Sequence, residues 1–226
     1  MEPRTNDNAS NVLKQIYGGV DIFVLLVLIV LFRVVLTYCL EEFVLTEDVY
    51  YKSYSRDLSD EQFSDMWDSM QKTKYVSYIT SLVGFFIKIF SATVVLAVIV
   101  MAFGLEIRLR DSFKITLFAE MPSIVLECCK VVWFMSSPSY ELEHVLNFYP
   151  LSMLSVANLD SPSTATRMIV GNFNITLLAQ LTIICLLLAT VLNLAPSKTA
   201  KIVGIGYSIL ILFISVLLFF IQVSLM

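Results

Sequence analysis

The chain reads as an all-α polytopic membrane protein, with five transmembrane helices and two structured extracytoplasmic loops. Two observations predict this fold class. Hydrophobic residues fill 58% of the 226 positions and charged ones 15%, with a mean hydropathy of +0.80, which is more apolar matter than a soluble core of this size can hide. Apolar windows of about 20 residues also recur, the length at which ~1.5 Å of rise per residue crosses a hydrocarbon core of ~30 Å.

Residues 1–20 form a cytoplasmic tail, and 21–226 a single membrane domain. The first span, 21–40, is apolar up to Arg33. Its charge-free part has the length of a signal core, but Arg33 ends it abruptly, Tyr38 is too bulky beside a cleavage position and no small-x-small site follows, so it is read as a span. The first outer loop, 41–77, carries nine acidic residues and a helix of its own. There Ser59 and Gln62 make a capping box, Asp60 and Glu61 suit the positive helix end, and Lys72 and Lys74 the negative one. Phe63, Met66, Trp67 and Met70 share a face of that helix, suited to packing on the bundle's outer end or on a partner.

The second span, 82–103, carries only Lys88, whereas the third, 113–135, holds Lys114, Glu120, Glu127, Lys130 and Pro122 and has to face the interior of a bundle. In the second outer loop, 136–172, Ser137-Pro138 is a helix start. Leu142, Val145, Leu146 and Tyr149 share a face, and Pro150 disrupts the helix. Leu151–Ala157 is apolar but too short to span, so it rests at the interface or against a partner. Phe63, Trp67, Tyr149, Pro150, Leu151 and Leu154 are thus the candidate interaction residues of the two loops. The last two spans, 173–195 and 202–226, are nearly free of charge.

Orientation follows from Lys and Arg in short loops. Arg4 and Lys14, then Arg108, Arg110 and Lys114, then Lys198 and Lys201 fall in three segments of one side, which places the N-terminus in the cytoplasm and the C-terminus outside.

Ionisable groups inside the spans are the strongest functional signal, since each costs several kcal/mol in hydrocarbon unless it finds a partner or water. Counting ~1.5 Å per residue from the inner end, Arg33 lies ~18 Å in, Lys88 ~22 Å, Glu127 ~21 Å and Lys130 ~25 Å, with Glu120 at ~10 Å. These five form a candidate buried charge network. In the third span Thr116, Glu120, Ser123, Glu127 and Lys130 are spaced by four, three, four and three, one face of a continuous helix that Pro122 kinks. Such a face is either an internal ion-pair network fixing the bundle or a path for an anion or proton.

Enzyme chemistry finds little support. A lone histidine, His144, cannot build a multi-histidine metal site and reads as a surface residue. Cys39, Cys128, Cys129 and Cys185 fall in spans without C-x-x-C spacing and read as small buried hydrophobes. Phosphate-loop, dinucleotide and nucleophile-elbow motifs are absent from the sequence.

Phe148-Tyr149-Pro150-Leu151-Ser152-Met153-Leu154-Ser155, then Asn172-Phe173-Asn174-Ile175, then Lys201-Ile202-Val203 with Gly206-Tyr207, resemble a bacterial group of the Yip family of five-span membrane proteins. The resemblance covers roughly residues 110 to 226 and implies a fold and an inner (plasma) membrane location; it supplies no catalytic residues. The expectation is a non-enzymatic membrane scaffold or accessory subunit of a larger complex, with a small permease or transporter subunit using the third span as the alternative. Expected partners are membrane lipid and other membrane or periplasmic proteins, with no nucleic acid and no cofactor.

Overall fold

The computed structural model describes residues 6–55, 57–137, 139–148 and 174–209, and within them every regular segment is helical. In chain order these are α1 (Asn6–Gly19), α2 (Ile22–Cys39) continuing as a π-helical turn (Leu40–Val44), α3 (Glu47–Tyr54), α4 (Asp60–Ala102), α5 (Leu109–Ala119), α6 (Met121–Ser136), α7 (Leu142–Leu146), α8 (Ile175–Leu192) and α9 (196–209). By contacts the chain forms two compact units, one of Met1–Leu25, Ile89–Pro122 and Tyr149–Met226, the other of Leu26–Lys88 and Ser123–Phe148.

Among the described residues three helical stretches are long and apolar enough to cross a membrane: Ile22–Val44, Asp60–Ala102 and Ile175–Leu192. One of the five expected spans therefore needs correction. The third, 113–135, is not one helix. It breaks at Glu120 into α5 and α6, of 11 and 16 residues, about 16 and 24 Å long at 1.5 Å per residue, so neither alone crosses ~30 Å. Pro122 explains the break. Its ring excludes the carbonyl of Phe118 and it has no N–H to donate, so the chain restarts as a new helix with the proline in its first turn. The fifth, 202–226, lies outside the described residues beyond position 209.

The acidic loop helix is also not a separate element. The capping box forms, Ser59 N–H donating to Gln62 Oε1 at 3.1 Å and Gln62 N–H to Ser59 Oγ at 3.4 Å, but the helix it opens runs unbroken for 43 residues into the second span. From Lys72 to Leu82 there is neither Gly nor Pro, so nothing stops it. The connection between α2 and α4 is correspondingly shorter than the expected 41–77 and contains α3.

The first unit is built on an apolar cluster of Leu96, Val100, Ile115, Ala119, Ile184, Leu187, Leu188 and Val203. α8 starts at Asn174, whose side chain accepts from Leu177 N–H at 2.9 Å, and ends at Asn193, held left-handed at φ 50°, where the chain turns into α9. The buried Thr199 hydroxyl, bonded to the Cys185 and Pro196 carbonyls, ties α9 back to α8. The tail is not a bare tether either: α1 packs on α8, and Tyr17 lies against Phe118 with ring centroids 6.3 Å apart.

The second unit has an aromatic and aliphatic headpiece where α3 and α7 pack together. Val44, Val49, Phe63, Leu142 and Val145 are buried there. Tyr51 meets Phe63 edge-on at 5.1 Å, Tyr140 donates to the Val44 carbonyl, and Leu142 N–H donates to Ser53 Oγ. α7 begins at Leu142, not at the expected Ser137-Pro138, because Glu141 and His144 cap it reciprocally; Leu146, expected to share a face with Leu142 and Val145, is 63% exposed where those two are buried.

Candidate functional site

In the second unit α2 and α4 run antiparallel, and polar side chains occupy the seam between them. Arg33 lies over the Phe85 ring at 5.6 Å, Thr37 Oγ1 meets Ser81 Oγ at 3.5 Å, and Glu41 accepts from Ser77 Oγ at 2.8 Å. Each step of four along α2 is thus matched by a step of four back along α4, as i, i+4 rows on two facing helices require. Hydroxyl side chains supply hydrogen bonds between helices in an apolar medium. The π-helical turn, closed by Leu45 N–H donating to Leu40 carbonyl at 2.8 Å, then brings Glu42 beside Glu41 onto the same side, where it pairs with Lys74.

Arg33 also pairs with Glu127 of α6, the two side chains 16% and 37% exposed. Of the four charges that the rise per residue sets near one level, these two pair with each other. Lys130 lies one turn further along α6, half-buried, and Lys88 sits on an exposed stretch of α4. Glu120, 2% exposed, belongs to the first unit at the α5–α6 break, its N–H donating to the Leu117 and Phe118 carbonyls. The expected continuous face of Thr116, Glu120, Ser123, Glu127 and Lys130 is accordingly interrupted, and the Thr116 hydroxyl is spent on the Ser112 carbonyl of its own helix.

Of the expected interaction residues, Phe63 is buried at 4% in the headpiece and Trp67 is half-buried against Tyr50, with ring centroids 5.5 Å apart, so both serve local packing. Tyr149, Pro150, Leu151 and Leu154 lie outside the described residues. Beside Tyr50 and Trp67 a cleft of about 220 Å³ opens, lined also by Glu41, Met70, Lys74 and Ser77. Burial first, and then the Glu41 carboxylate, hold the Tyr50 hydroxyl above the ordinary phenol range.

A second cluster, in the first unit, was not anticipated from sequence. Lys114 is only 8% exposed; its ammonium donates to the Tyr17 carbonyl in the last turn of α1 and sits over the Tyr17 ring at 4.5 Å from the centroid. It is a cation capping a helix C-terminus, where the dipole favours positive charge. Tyr17 Oη donates to Asp111 at 3.1 Å, and burial, then Asp111, push its pKa well up. Lys14 donates to Asn193 Oδ1 at 3.2 Å. The three segments that the charge rule put on one side are thereby tied to one another through α1. The only sequence clue was an i, i+3 Asp–Lys pair, which the charge counting absorbed into orientation.

The four cysteines carry free thiols, and no group of three or more potential metal ligands occurs among the described residues. Comparison of the chain with protein-family models, curated proteins and solved structures gave no significant match.

Proposed function

We propose that this protein is a non-enzymatic membrane scaffold or accessory subunit, of Yip-like kind, seated in the inner (plasma) membrane with its N-terminus cytoplasmic and its C-terminus outside. The observation that carries the reading is α4. At 43 residues it is about 64 Å long, twice the ~30 Å a bilayer core needs. Its polar first half therefore projects beyond the hydrocarbon and carries α3 and α7 as a headpiece with its own small core. A stiff stalk with a folded head presents a surface to other proteins. Partner exchange of the charges inside the helical seam, Arg33 with Glu127 and Lys74 with Glu42, favours charges used for holding helices in register over charges lining a path.

The test is affinity purification of the tagged full chain in mild detergent, beside a variant altered on the exposed head (Tyr54→Ser with Leu146→Ser). A stoichiometric companion that is lost from the variant, while the variant keeps its melting temperature, supports the subunit reading. A chain that purifies alone and stable in both forms overturns it.

One observation favours the permease alternative. The α5–α6 break carries a buried carboxylate, and interrupted helices with an ionisable group at the break are how many transporters build a site. Glu120→Gln that leaves stability intact but abolishes a cellular phenotype would select that reading.

A further inference from the structure

We propose that the cleft between the π-helical turn, α3 and α4 binds a substituted ammonium group, the chemistry of an amine-bearing lipid headgroup. Its about 220 Å³ is below the volume of pockets that take drug-sized ligands and suits a headgroup. Tyr50 and Trp67 line it with two rings inclined at 53°, Tyr50 being stacked also on Tyr54 with centroids 6.4 Å apart, and aromatic faces attract cations through the ring quadrupole. Glu41 supplies the counter-charge: its carboxylate accepts from Ser77 Oγ and shares the field of the Lys74 ammonium with Glu42, so two carboxylates face one cation and one negative charge is left over. Lys74 lines the same cleft, but its ammonium is engaged by Glu42, which neutralises the one group that would repel a cation.

The position in the fold fits a lipid source. Glu41 follows directly on the apolar run of α2, and Ser77 lies where the apolar run of α4 begins. Tyr38 and Tyr75 stand exposed and Tyr78 half-buried at this level of the two helices, the placement of an aromatic belt at a membrane–water boundary. The site is independent of whether the protein is a subunit or a permease.

Trp67 is a built-in reporter, since the chain has only two tryptophans and the other, Trp133, is 64% exposed and replaceable. The full chain carrying Trp133→Phe is titrated in maltoside micelles with choline chloride, against sodium chloride at equal ionic strength and against the uncharged isostere 3,3-dimethyl-1-butanol. The same protein is also placed in nanodiscs of phosphatidylcholine or of phosphatidylglycerol. The expected result is a Trp67 emission change specific to the ammonium form, weakened about tenfold by Glu41→Gln and lost in Tyr50→Ala but kept in Tyr50→Phe. Far-UV circular dichroism and melting of each variant establish that the fold is intact. A response to phosphatidylcholine nanodiscs with silent free choline assigns the site to lipid; saturation by free choline with identical nanodisc spectra assigns it to a soluble cation. Silence in every arm, an equal response to the isostere, or a response unchanged in Glu41→Gln overturns the proposal.

Discussion

Single side chains show where sequence reasoning reached and where it stopped. Depth counting put Arg33 and Glu127 at one level, and they pair. Glu127→Gln is expected to lower thermal stability in detergent by about 1–3 kcal/mol, less than a fully buried pair loses because Glu127 keeps part of its surface exposed. Adding Arg33→Leu should recover most of that loss, since removing both partners leaves no charge uncompensated. Absence of rescue in a melting experiment would show that the pair contributes nothing. Lys114 was illegible because its partner is a backbone carbonyl from another helix, which no spacing rule registers. Lys114→Met is expected to release α1 at a cost of about 1–2 kcal/mol, read as faster proteolysis ahead of residue 20.

At the level of elements, the apolar periods located α2, α8 and the C-terminal end of α4 to within a few residues, because a membrane-length run of hydrophobics has few alternatives. Boundaries failed where a local signal competed with length. Pro122 was read as a kink but ends one helix and starts another, and the absence of any breaker around Tyr75 lets one helix replace an expected loop and span. Gly206 illustrates a packing requirement inside α9: a Cβ there would come within 2.5 Å of Ile99 Cγ2, on the stiff branch of that side chain. Gly206→Ala is expected to cost about 1–3 kcal/mol in a melting experiment. Combined with Ile99→Ala it should cost less than the two changes summed, because the added methyl enters the space the isoleucine leaves. Strict additivity would place the two helices farther apart than described.

For the whole molecule, the all-helical build with helices of membrane-crossing length was legible from composition, whereas the number of such helices was not, since charges and a proline inside a window leave its length intact while cutting its helix. Sidedness can be measured directly. With the native cysteines replaced, a cysteine at Ser64 should react with a membrane-impermeant thiol reagent added outside, and one at Ser197 should not; the opposite pattern would invert the proposed orientation. The π-helical turn at Leu40–Val44 adds a consequence for tolerance to length change. A π turn holds one residue more than an α turn, so deleting a single residue from it would leave an unbroken α-helix with the backbone hydrogen bonds of both flanks intact. Everything beyond the deletion would swing by about 100° around the helix axis, carrying Glu42 off the Lys74 side. The turn thus acts as a rotational setting between α2 and the head, and a one-residue deletion there would re-aim the head without unfolding it.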